Sequence, residues 1–430
     1  MDTKKHIVII GGGFAGLNLV KHLDRHQYRV TLIDRNNYHS FPPLFYQIAS
    51  SGLDVGSISF PFRRELYRKL GARGNVTFLM DTARSVDPAT KTVACGNTTV
   101  SYDILVIAHG TTNNFFNMPE LERHVFTLKS TSQALRCRNE ILERLERAST
   151  LPDSEQRRRL LSFVVIGGGP TGVEIAGAIG EMKRYILHRE YPAIGADEVK
   201  VTLLEGNSRV LASMSEKSSE QALKYLSDLM VKVETGVSMT SYHDNTVHLS
   251  DGRTIDSEMV IWTAGVTGEK LEIAGGPERG HGNRLIVNKC NAVIGLEDIY
   301  ALGDVALMPD ADPNFPKGHP QLAQVAIQQS RLLAFNLNTG SCRPFRYNDK
   351  GTMATVGRNR AVVDLGHTHF GGFPAWATWM FVHLISILGM RNKITVLINW
   401  IWAYFSYQTS LRLIVRPDRY PLRRHWEKDN

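Results

Sequence analysis

Two glycine-rich turns, built alike and about 155 residues apart, constrain this chain more than any other feature of its sequence. Residues 11–16 read GGGFAG and residues 167–172 read GGGPTG, each straight after a run of four apolar residues. Both fit G-x-G-x-x-G between a predicted strand and a predicted helix. In such turns the first glycine permits the tight bend, the second lets backbone amides approach a pyrophosphate, and the third lets helix and strand pack closely.

An acidic residue ends the next predicted strand after each turn. Asp34 lies about 20 residues past Gly11, the usual spacing for a carboxylate that binds a ribose 2′-hydroxyl. Glu205 lies much further past Gly167, so we expect an extended intervening helix over 183–198. Because each helix N-terminus also favours phosphate, the pattern predicts two dinucleotides that exchange electrons.

Length and composition indicate a globular protein of two or three domains. The chain has 430 residues, of which 43% are hydrophobic and 21% charged. Its four cysteines show no C-x-x-C spacing, which argues against a disulfide framework, a zinc site or a redox-active dithiol and suits a reducing compartment. The first strand starts at the N-terminus, so we expect no signal peptide and a protein that faces the cytosol.

Three later strands run into small or acidic residues of the kind that approach a cofactor. The apolar run 104–107 leads to Gly110, and its counterpart 260–262 leads to Gly265. A third run, 299–302, leads to Gly303-Asp304, where the carboxylate can reach the ribityl chain of a flavin. The alternative, that Asp304 only caps the next element, stays open. The charged stretch 116–160 is predicted to be helical and solvated.

A glutamine-rich segment follows at 320–329. It predicts a helix that begins near Pro320 and carries Gln324 and Gln328 on one face. Ala323 and Ala326 are small enough for a flat ring to lie against this helix. The segment therefore predicts a neutral hydrogen-bonding site for a ligand with carbonyl groups, with helix capping and polar packing as the alternative.

The C-terminal eighty residues change in composition. Four of the six tryptophans lie at positions 376, 379, 400 and 402, and residues 391–430 hold eight Lys/Arg against three acids, most of the net charge of +8. The apolar stretches 373–390 and 394–407 are interrupted or too short to be good candidates for a membrane span, which needs about 20 residues. We expect amphipathic helices at a membrane surface, a dimer interface, or both. No nucleic-acid-binding module is recognised.

With these motifs the chain resembles the type II NADH dehydrogenases, single-subunit NADH:quinone oxidoreductases that pump no protons. The glycine turns are shared by all flavoproteins with two dinucleotide-binding domains; the specific parts are the glutamine motif at 323–329 and the tail. Residues 42–47, PPLFYQ, also look like a family segment. The resemblance implies an α/β fold with two Rossmann-like domains of disulfide-reductase-like architecture and a C-terminal amphipathic membrane-anchoring region. It divides the chain into an FAD-binding domain (1–115 and 290–345), an NADH-binding domain (116–289) and a membrane-association or dimerisation region (346–430).

The resemblance also implies site residues. The residues expected to bind FAD are Gly11, Gly13, Phe14, Ala15, Gly16, Asp34, Arg35, Ala83, Gly110, Gly303, Asp304 and Ala326. The residues expected to bind NADH are Gly167, Gly169, Gly172, Glu205 and Gly265. Glu174 is expected at the junction of nicotinamide and flavin, to position NADH or relay a proton. Gln324 and Gln328 are expected beside the quinone, and no metal is implied. His109 departs from the family's usual threonine, whose contacts residues 111–114 would take over, and the late C-terminal flavin contact has no clear match.

The implied protein is a peripheral enzyme on the cytoplasmic face of a bacterial membrane, a homodimer, reducing ubiquinone or menaquinone. Two alternatives remain. A sulfide:quinone oxidoreductase shares the fold but needs a pair of cysteines near the flavin. A flavoprotein redox sensor would bind NADH with slow turnover.

Overall fold

The computed structural model describes residues 4–69, 75–366, 368–406 and 411–415. The basic residues expected at 416–430 lie outside the described residues. The α-helices are α1 (Phe14–His22), α2 (Phe45–Ala49), α3 (Leu121–His124), α4 (Thr131–Thr150), α5 (Glu155–Leu160), α6 (Pro170–Tyr185), α7 (Leu187–Glu190), α8 (Glu216–Asp228), α9 (Ala323–Thr339), α10 (Gly372–Ser386) and α11 (Met390–Ser406). Short 3₁₀ turns lie at Pro42–Leu44, Val55–Ser57, His281–Asn283 and Gly303–Val305, and a π-helical turn lies at Arg64–Lys69.

The strands fall into two five-stranded sheets and several small ones. In chain order they are β1 (Lys5–Ile10), β2 (Tyr28–Asp34), β3 (Tyr38–Ser40), β4 (Ser59–Pro61), β5 (Val76–Met80), β6 (Ala83–Asp87), β7 (Thr92–Cys95), β8 (Thr99–Ser101), β9 (Ile104–Ile107), β10 (Thr111–Asn113), β11 (Phe126–Thr127), β12 (Ser162–Ile166), β13 (Lys200–Glu205), β14 (Lys232–Thr235), β15 (Met239–His243), β16 (Thr246–Leu249), β17 (Thr254–Asp256), β18 (Met259–Trp262), β19 (Val266–Gly268), β20 (Glu272–Ile273), β21 (Arg279–Gly280), β22 (Arg284–Ile286), β23 (Ile299–Ala301), β24 (Ala306–Leu307), β25 (Thr352–Thr355), β26 (Ala361–Leu365) and β27 (Thr368–Gly371).

The two large sheets have the same topology. The first has the order β23-β9-β1-β2-β5 and the second β11-β18-β12-β13-β14, and every pairing in them is parallel. Strands β1, β9, β12 and β18 are apolar and almost wholly buried, as a parallel sheet covered on both faces requires. The glycine turns follow β1 and β12, which are the central strands of the two sheets. In sheets of this kind, nucleotides bind at the carboxyl ends of the strands, where these turns lie.

A short antiparallel ribbon joins the two sheets. Strand β10 follows β9 of the first sheet, strand β19 follows β18 of the second, and the two pair with each other. The Trp262 indole donates to the Asn114 carbonyl at 2.9 Å, which continues the contact beyond the ribbon. The carboxyl-end edges of both sheets are therefore held next to one another.

The C-terminal part packs on the second sheet's helices instead of standing apart. Strands β25–β27 form an antiparallel sheet, and helix α10 buries Ala375 and Trp379 beneath its apolar outer face. Trp379 belongs to the core that also contains Tyr46 of α2 and Met182 of α6. Among the described residues, no helix is long and apolar enough to cross a membrane.

Three local expectations are corrected by the structure. The helix predicted over 183–198 does not form as one element, because α6 ends at Tyr185 and only the short α7 follows. The glutamine helix begins at Ala323, three residues after Pro320. The sequence argument against disulfides is wrong for one pair: Cys290 and Cys342 are bonded and connect the turn before β23 to the segment after α9.

Candidate functional site

The first glycine turn has the geometry that the sequence predicts. Gly11 has φ +98°, a conformation that favours glycine. A Cβ on Gly16 would lie 1.9 Å from the Gly11 carbonyl oxygen, so only glycine allows α1 to approach β1 this closely. The Asp34 carboxylate accepts a 2.7 Å hydrogen bond from the Gly12 amide and so fixes the turn to the end of β2. Burial raises the pKa of Asp34, and the amides of Gly12 and Asn36 partly oppose this.

The second turn has nearly the same backbone geometry as the first. Gly167 has φ +104°, and a Cβ on Gly172 would lie 1.8 Å from the Gly167 carbonyl oxygen. The Glu205 carboxylate accepts from the Gly168 amide at 2.5 Å and from the Asn207 amide at 2.8 Å. Each turn is thus closed by the carboxylate that the sequence assigned to a ribose.

The residues of both turns fit a dinucleotide. No side chain caps the N-terminus of α1 at Gly13 or of α6 at Gly169. A Cβ built on either glycine meets no atom within 4 Å, so the space beside these backbone amides is open. Uncapped helix amides facing open space are suited to phosphate groups.

The predicted flavin residues from distant parts of the chain meet at Gly303. A Cβ on Gly303 would lie 3.1 Å from the Ala326 Cβ and 3.6 Å from the Ala15 Cβ. The buried Gln329 side chain accepts from the Gly303 amide at 2.7 Å and so holds this turn against α9. Asp304 follows at the carboxyl-end edge, and burial raises its pKa.

The other predicted flavin residues lie around the same edge. Phe14 packs edge-on against Phe41 and His39. Arg35 pairs with Glu269 at 3.1 Å, and Ala83 begins β6, shortly after β5 ends. Gly110, between β9 and the joining ribbon, has open space where a side chain would stand.

On the second sheet, Gly265 occupies the position that corresponds to Gly110. A Cβ there would lie 2.6 Å from the Phe116 ring, which itself packs against Trp262. His109, the residue that departs from the family pattern, has both ring nitrogens buried and without a hydrogen-bond partner among the described residues. Burial lowers the pKa of His109 to about 4, so its imidazole is neutral at pH 7.

Glu174 lies on α6, two residues past the last glycine, and is buried. Burial raises its pKa well above the usual range, and the Thr355 amide donates to its carboxylate. Tyr46 lies close enough for the carboxylate charge to raise the pKa of its hydroxyl, together with burial. Glu174 is therefore a carboxyl group that favours its protonated form, enclosed between α2 and β25.

A hydrogen-bond chain links this carboxyl group's surroundings to α11. The Trp400 indole donates to Gln47 Oε1 at 2.9 Å, Gln47 Nε2 donates to the Tyr46 hydroxyl at 2.9 Å, and that hydroxyl lies 3.0 Å from Thr355 Oγ1. An indole N–H can only donate, so it fixes the orientation of the Gln47 amide. The Tyr46 hydroxyl accepts from Gln47, and either hydroxyl can be the donor in its contact with Thr355.

The structure gives Gln324 and Gln328 partners within the protein. Gln324 donates to the Gly351 carbonyl and accepts from the Lys350 amide, and Gln328 makes the same pair of bonds with the backbone of Asn348. Their role beside a quinone stays a prediction. Each side-chain amide has a second N–H that these bonds do not use, and this N–H is available to a ligand. Segment 348–355 connects these glutamines at one end with Thr355, beside Glu174, at the other.

An aromatic cavity lies between α2, α6 and the C-terminal helices. It encloses about 170 Å³, and its wall includes Trp376, Trp379 and Trp400. Glu181 and Arg358 are its charged residues; the Arg358 amide donates to the Glu181 carboxylate at 2.7 Å, and burial raises the pKa of Glu181 to about 6. The Tyr46 and Gln47 side chains line the cavity as well, so the hydrogen-bond chain borders it.

Sequence reasoning missed three residues of this site. Tyr46 and Thr355 are about 310 positions apart, so no local pattern could pair them. Lys129 precedes α4 with no motif around it, yet its ammonium donates to the Thr111 hydroxyl at 2.8 Å, beside Asp304.

Known proteins share this architecture and sequence. The family model described as pyridine nucleotide-disulphide oxidoreductase matches residues 5–330, and a model for the NDH2 C-terminal domain matches residues 350–408. The chain is 34% identical to the type II NADH:quinone oxidoreductase Ndh of Mycobacterium tuberculosis, over 94% of this chain and 89% of that one. It is 28% identical to the mitochondrial external NADH-ubiquinone oxidoreductase 2 of Saccharomyces cerevisiae, over 94% and 81%. A structure of NDH2 from Plasmodium falciparum in complex with NADH superposes with a TM-score of 0.87 at 22% identity, over 96% of this chain and 100% of that one.

Gly169 and Gly172, two of the glycines in the second turn, have separable roles. Gly172→Ala forces a Cβ against the Gly167 carbonyl oxygen, and we expect it to destabilise the protein by about 1–3 kcal/mol, as overpacking does. Gly169→Ala places its Cβ in open space and should leave the free energy of unfolding unchanged while weakening NADH binding at least tenfold. Urea unfolding and fluorescence titration with NADH measure the two effects. Equal loss of stability in both variants would contradict this assignment.

The Glu205 carboxylate should select NADH over NADPH, because it repels a 2′-phosphate. We expect Glu205→Gln, which keeps an oxygen to accept from the turn but loses the charge, to reduce the NADH/NADPH ratio of kcat/KM at least tenfold. Asp34→Asn is the matched control in the first turn and should leave that ratio unchanged. Comparable use of NADPH by the unaltered protein would show that the assignment is wrong.

Proposed function

The chain belongs to the type II NADH:quinone oxidoreductase family, and on that premise we propose that it is a membrane-associated flavoenzyme that oxidises NADH with FAD and reduces a quinone without pumping protons. The observation that carries this proposal is the duplicated turn, closed once by Asp34 and once by Glu205. Two such cradles on adjoining sheet edges suit two nucleotides whose reactive ends meet.

The residues divide between the two cofactors. When bound, FAD supplies the redox chemistry, taking a hydride from NADH and delivering electrons to the quinone. Asp34 would hold the adenosine ribose of FAD and Asp304 its ribityl chain, while Glu205 would hold the adenosine ribose of NADH. The uncapped amides of α1 and α6 would bind the two pyrophosphates.

Glu174 would hold a proton near the reacting rings. Burial raises its pKa well above the usual range, which is the direction that a group giving a proton to a reduced product requires. The chain Trp400–Gln47–Tyr46–Thr355 holds the Tyr46 hydroxyl against Thr355, next to this carboxyl. We therefore assign Tyr46 and Thr355 as positioning residues for Glu174.

The quinone would approach from the side of the C-terminal helices. The aromatic cavity lies between their inner face and α6, and the glutamines of α9 border the adjoining segment 348–351. Because Gln324 and Gln328 keep one N–H each, they can still donate to a carbonyl of the quinone ring.

The outer faces of α10 and α11 suit a lipid surface. Phe381 is 65% exposed and Trp402 64%, and Ile385, Ile394 and Ile398 are at least half exposed on the same two helices. Large apolar side chains on this scale mark an interaction surface, and tryptophan favours the headgroup region. We propose a peripheral protein on the cytoplasmic face of the membrane, and a homodimer in which part of this apolar surface contacts a second copy.

The cysteines do not favour a sulfide:quinone oxidoreductase. Cys290 and Cys342 are bonded to each other far along the chain from the glycine turns, and Cys95 and Cys137 are buried. Burial raises the pKa of Cys95 to about 11 and of Cys137 to about 12, so both thiols stay protonated and unreactive. A sulfide:quinone oxidoreductase requires a pair of reactive cysteines near the flavin.

Steady-state oxidation of NADH with a soluble quinone analogue tests the proposed function. We expect fast turnover, and Gln324→Ala should slow the quinone-reducing half-reaction about tenfold, the loss of one hydrogen bond in the transition state, without changing flavin reduction by NADH. Gln156→Ala, on an exposed face of α5, is the control.

Two outcomes would contradict parts of the proposal separately. Slow flavin reduction with a long-lived charge-transfer complex would indicate a redox sensor. Fast turnover that Gln324→Ala leaves unchanged would retain the enzyme and remove the glutamine site.

Membrane association can be tested on the exposed face alone, since α10 also buries Trp379 in the core and cannot be deleted cleanly. We expect the combined substitution Phe381→Ser, Ile398→Ser and Trp402→Ser to reduce flotation with anionic phospholipid vesicles at least tenfold, from the apolar area it removes. Leu223→Ser with Met230→Ser, at exposed apolar positions elsewhere, is the matched control. Equal flotation of both variants would place the lipid contact elsewhere.

A further inference from the structure

Lys129 brings a positive charge from the second sheet's side into the predicted flavin site. It lies between β11 of the second sheet and the start of α4, with its amide donating to the Gln133 side chain at 2.9 Å. Its side chain crosses to the first sheet's side, where the ammonium donates to Thr111 Oγ1 at 2.8 Å. Thr111 begins the ribbon that joins the two sheets.

Thr111 links Lys129 to Asp304. An ammonium can only donate hydrogen bonds, so the Thr111 hydroxyl accepts from Lys129 and keeps its own proton free to face the Asp304 carboxylate, whose pKa this hydroxyl lowers. The charges of Lys129 and Asp304 act on one another as well, and each favours the ionised form of the other. Arg284 also favours the ionised form of Asp304, less strongly than Lys129 does. Glu269, which pairs with Arg35, also acts on Lys129.

This arrangement has a consequence for a bound flavin. Hydride transfer from NADH delivers two electrons with one proton, so the bound cofactor gains one negative charge. An unbalanced Asp304 carboxylate at the ribityl chain would oppose that gain, and the low dielectric of a buried site strengthens the opposition. A cation held beside Asp304 offsets it.

We propose that Lys129 is a positioning residue of the flavin site whose charge balances Asp304 and raises the reduction potential of the bound FAD. The inference rests on the proposed function, because it takes Asp304 as the ribityl-side residue. In this arrangement a half-buried lysine from the side of the second sheet reaches across the junction. The part of the chain that binds NADH thereby supplies a positive charge to the site that receives the hydride.

The midpoint potential of the bound FAD, measured by anaerobic spectral titration of the holoenzyme against a reference dye, tests this role. Lys129→Gln keeps a donor for Thr111 but loses the charge, and Lys129→Arg keeps the charge. We expect reduced FAD to be about tenfold less stable, relative to oxidised FAD, in the Gln variant. For a two-electron couple this lowers the midpoint potential by about 30 mV. The Arg variant should restore most of that loss.

Lys91→Met is the matched control, since Lys91 pairs with Asp298 at 2.6 Å at the opposite end of β23 and should leave the potential unchanged. Variants that lose FAD on purification are titrated after reconstitution with excess FAD. A Gln variant with the potential of the unaltered protein, whatever its thermal stability, would overturn the proposal and leave Lys129 as a bridge between domains. An unaltered protein that binds no FAD would instead refute the proposed function itself.

Discussion

The ribbon formed by β10 and β19 is the constraint on which the rest of the site depends. Each of its strands continues the corresponding strand of one five-stranded sheet, β9 or β18, directly past the edge where the glycine turns lie. Pairing of the two strands therefore brings two equivalent nucleotide cradles together at their carboxyl-end edges.

Ionisable groups collect at this junction, and three of its carboxylates have partners that limit the cost of burying them. Asp304 faces Lys129 through Thr111, and Asp34 and Glu205 accept from the amides of the turns that they close. Glu174 has no cation acting on its pKa, and its carboxyl is accordingly shifted towards the neutral form. The junction thus combines carboxylates that a cation or backbone amides stabilise with an acid, Glu174, whose neutral form burial favours.

The C-terminal helices connect this junction to the protein surface. Their outer faces expose large apolar side chains, while Trp379 and Trp400 point inward to the core and the aromatic cavity. Through Trp400, Gln47 and Tyr46 the same helices reach the surroundings of Glu174.

The sequence by itself determined whatever depends on local backbone geometry: the two turns, the strands before them, and the carboxylates one strand later, because glycine spacing and strand ends lie within a few dozen residues. Only the tertiary structure decided which distant groups meet. It paired Tyr46 with Thr355, gave Gln324 and Gln328 partners in segment 348–351, bonded Cys290 to Cys342, and brought Lys129 to Thr111. Such contacts follow from how sheets and helices pack, and hydrogen bonds and disulfides between remote residues leave no periodic or spacing signal in one sequence.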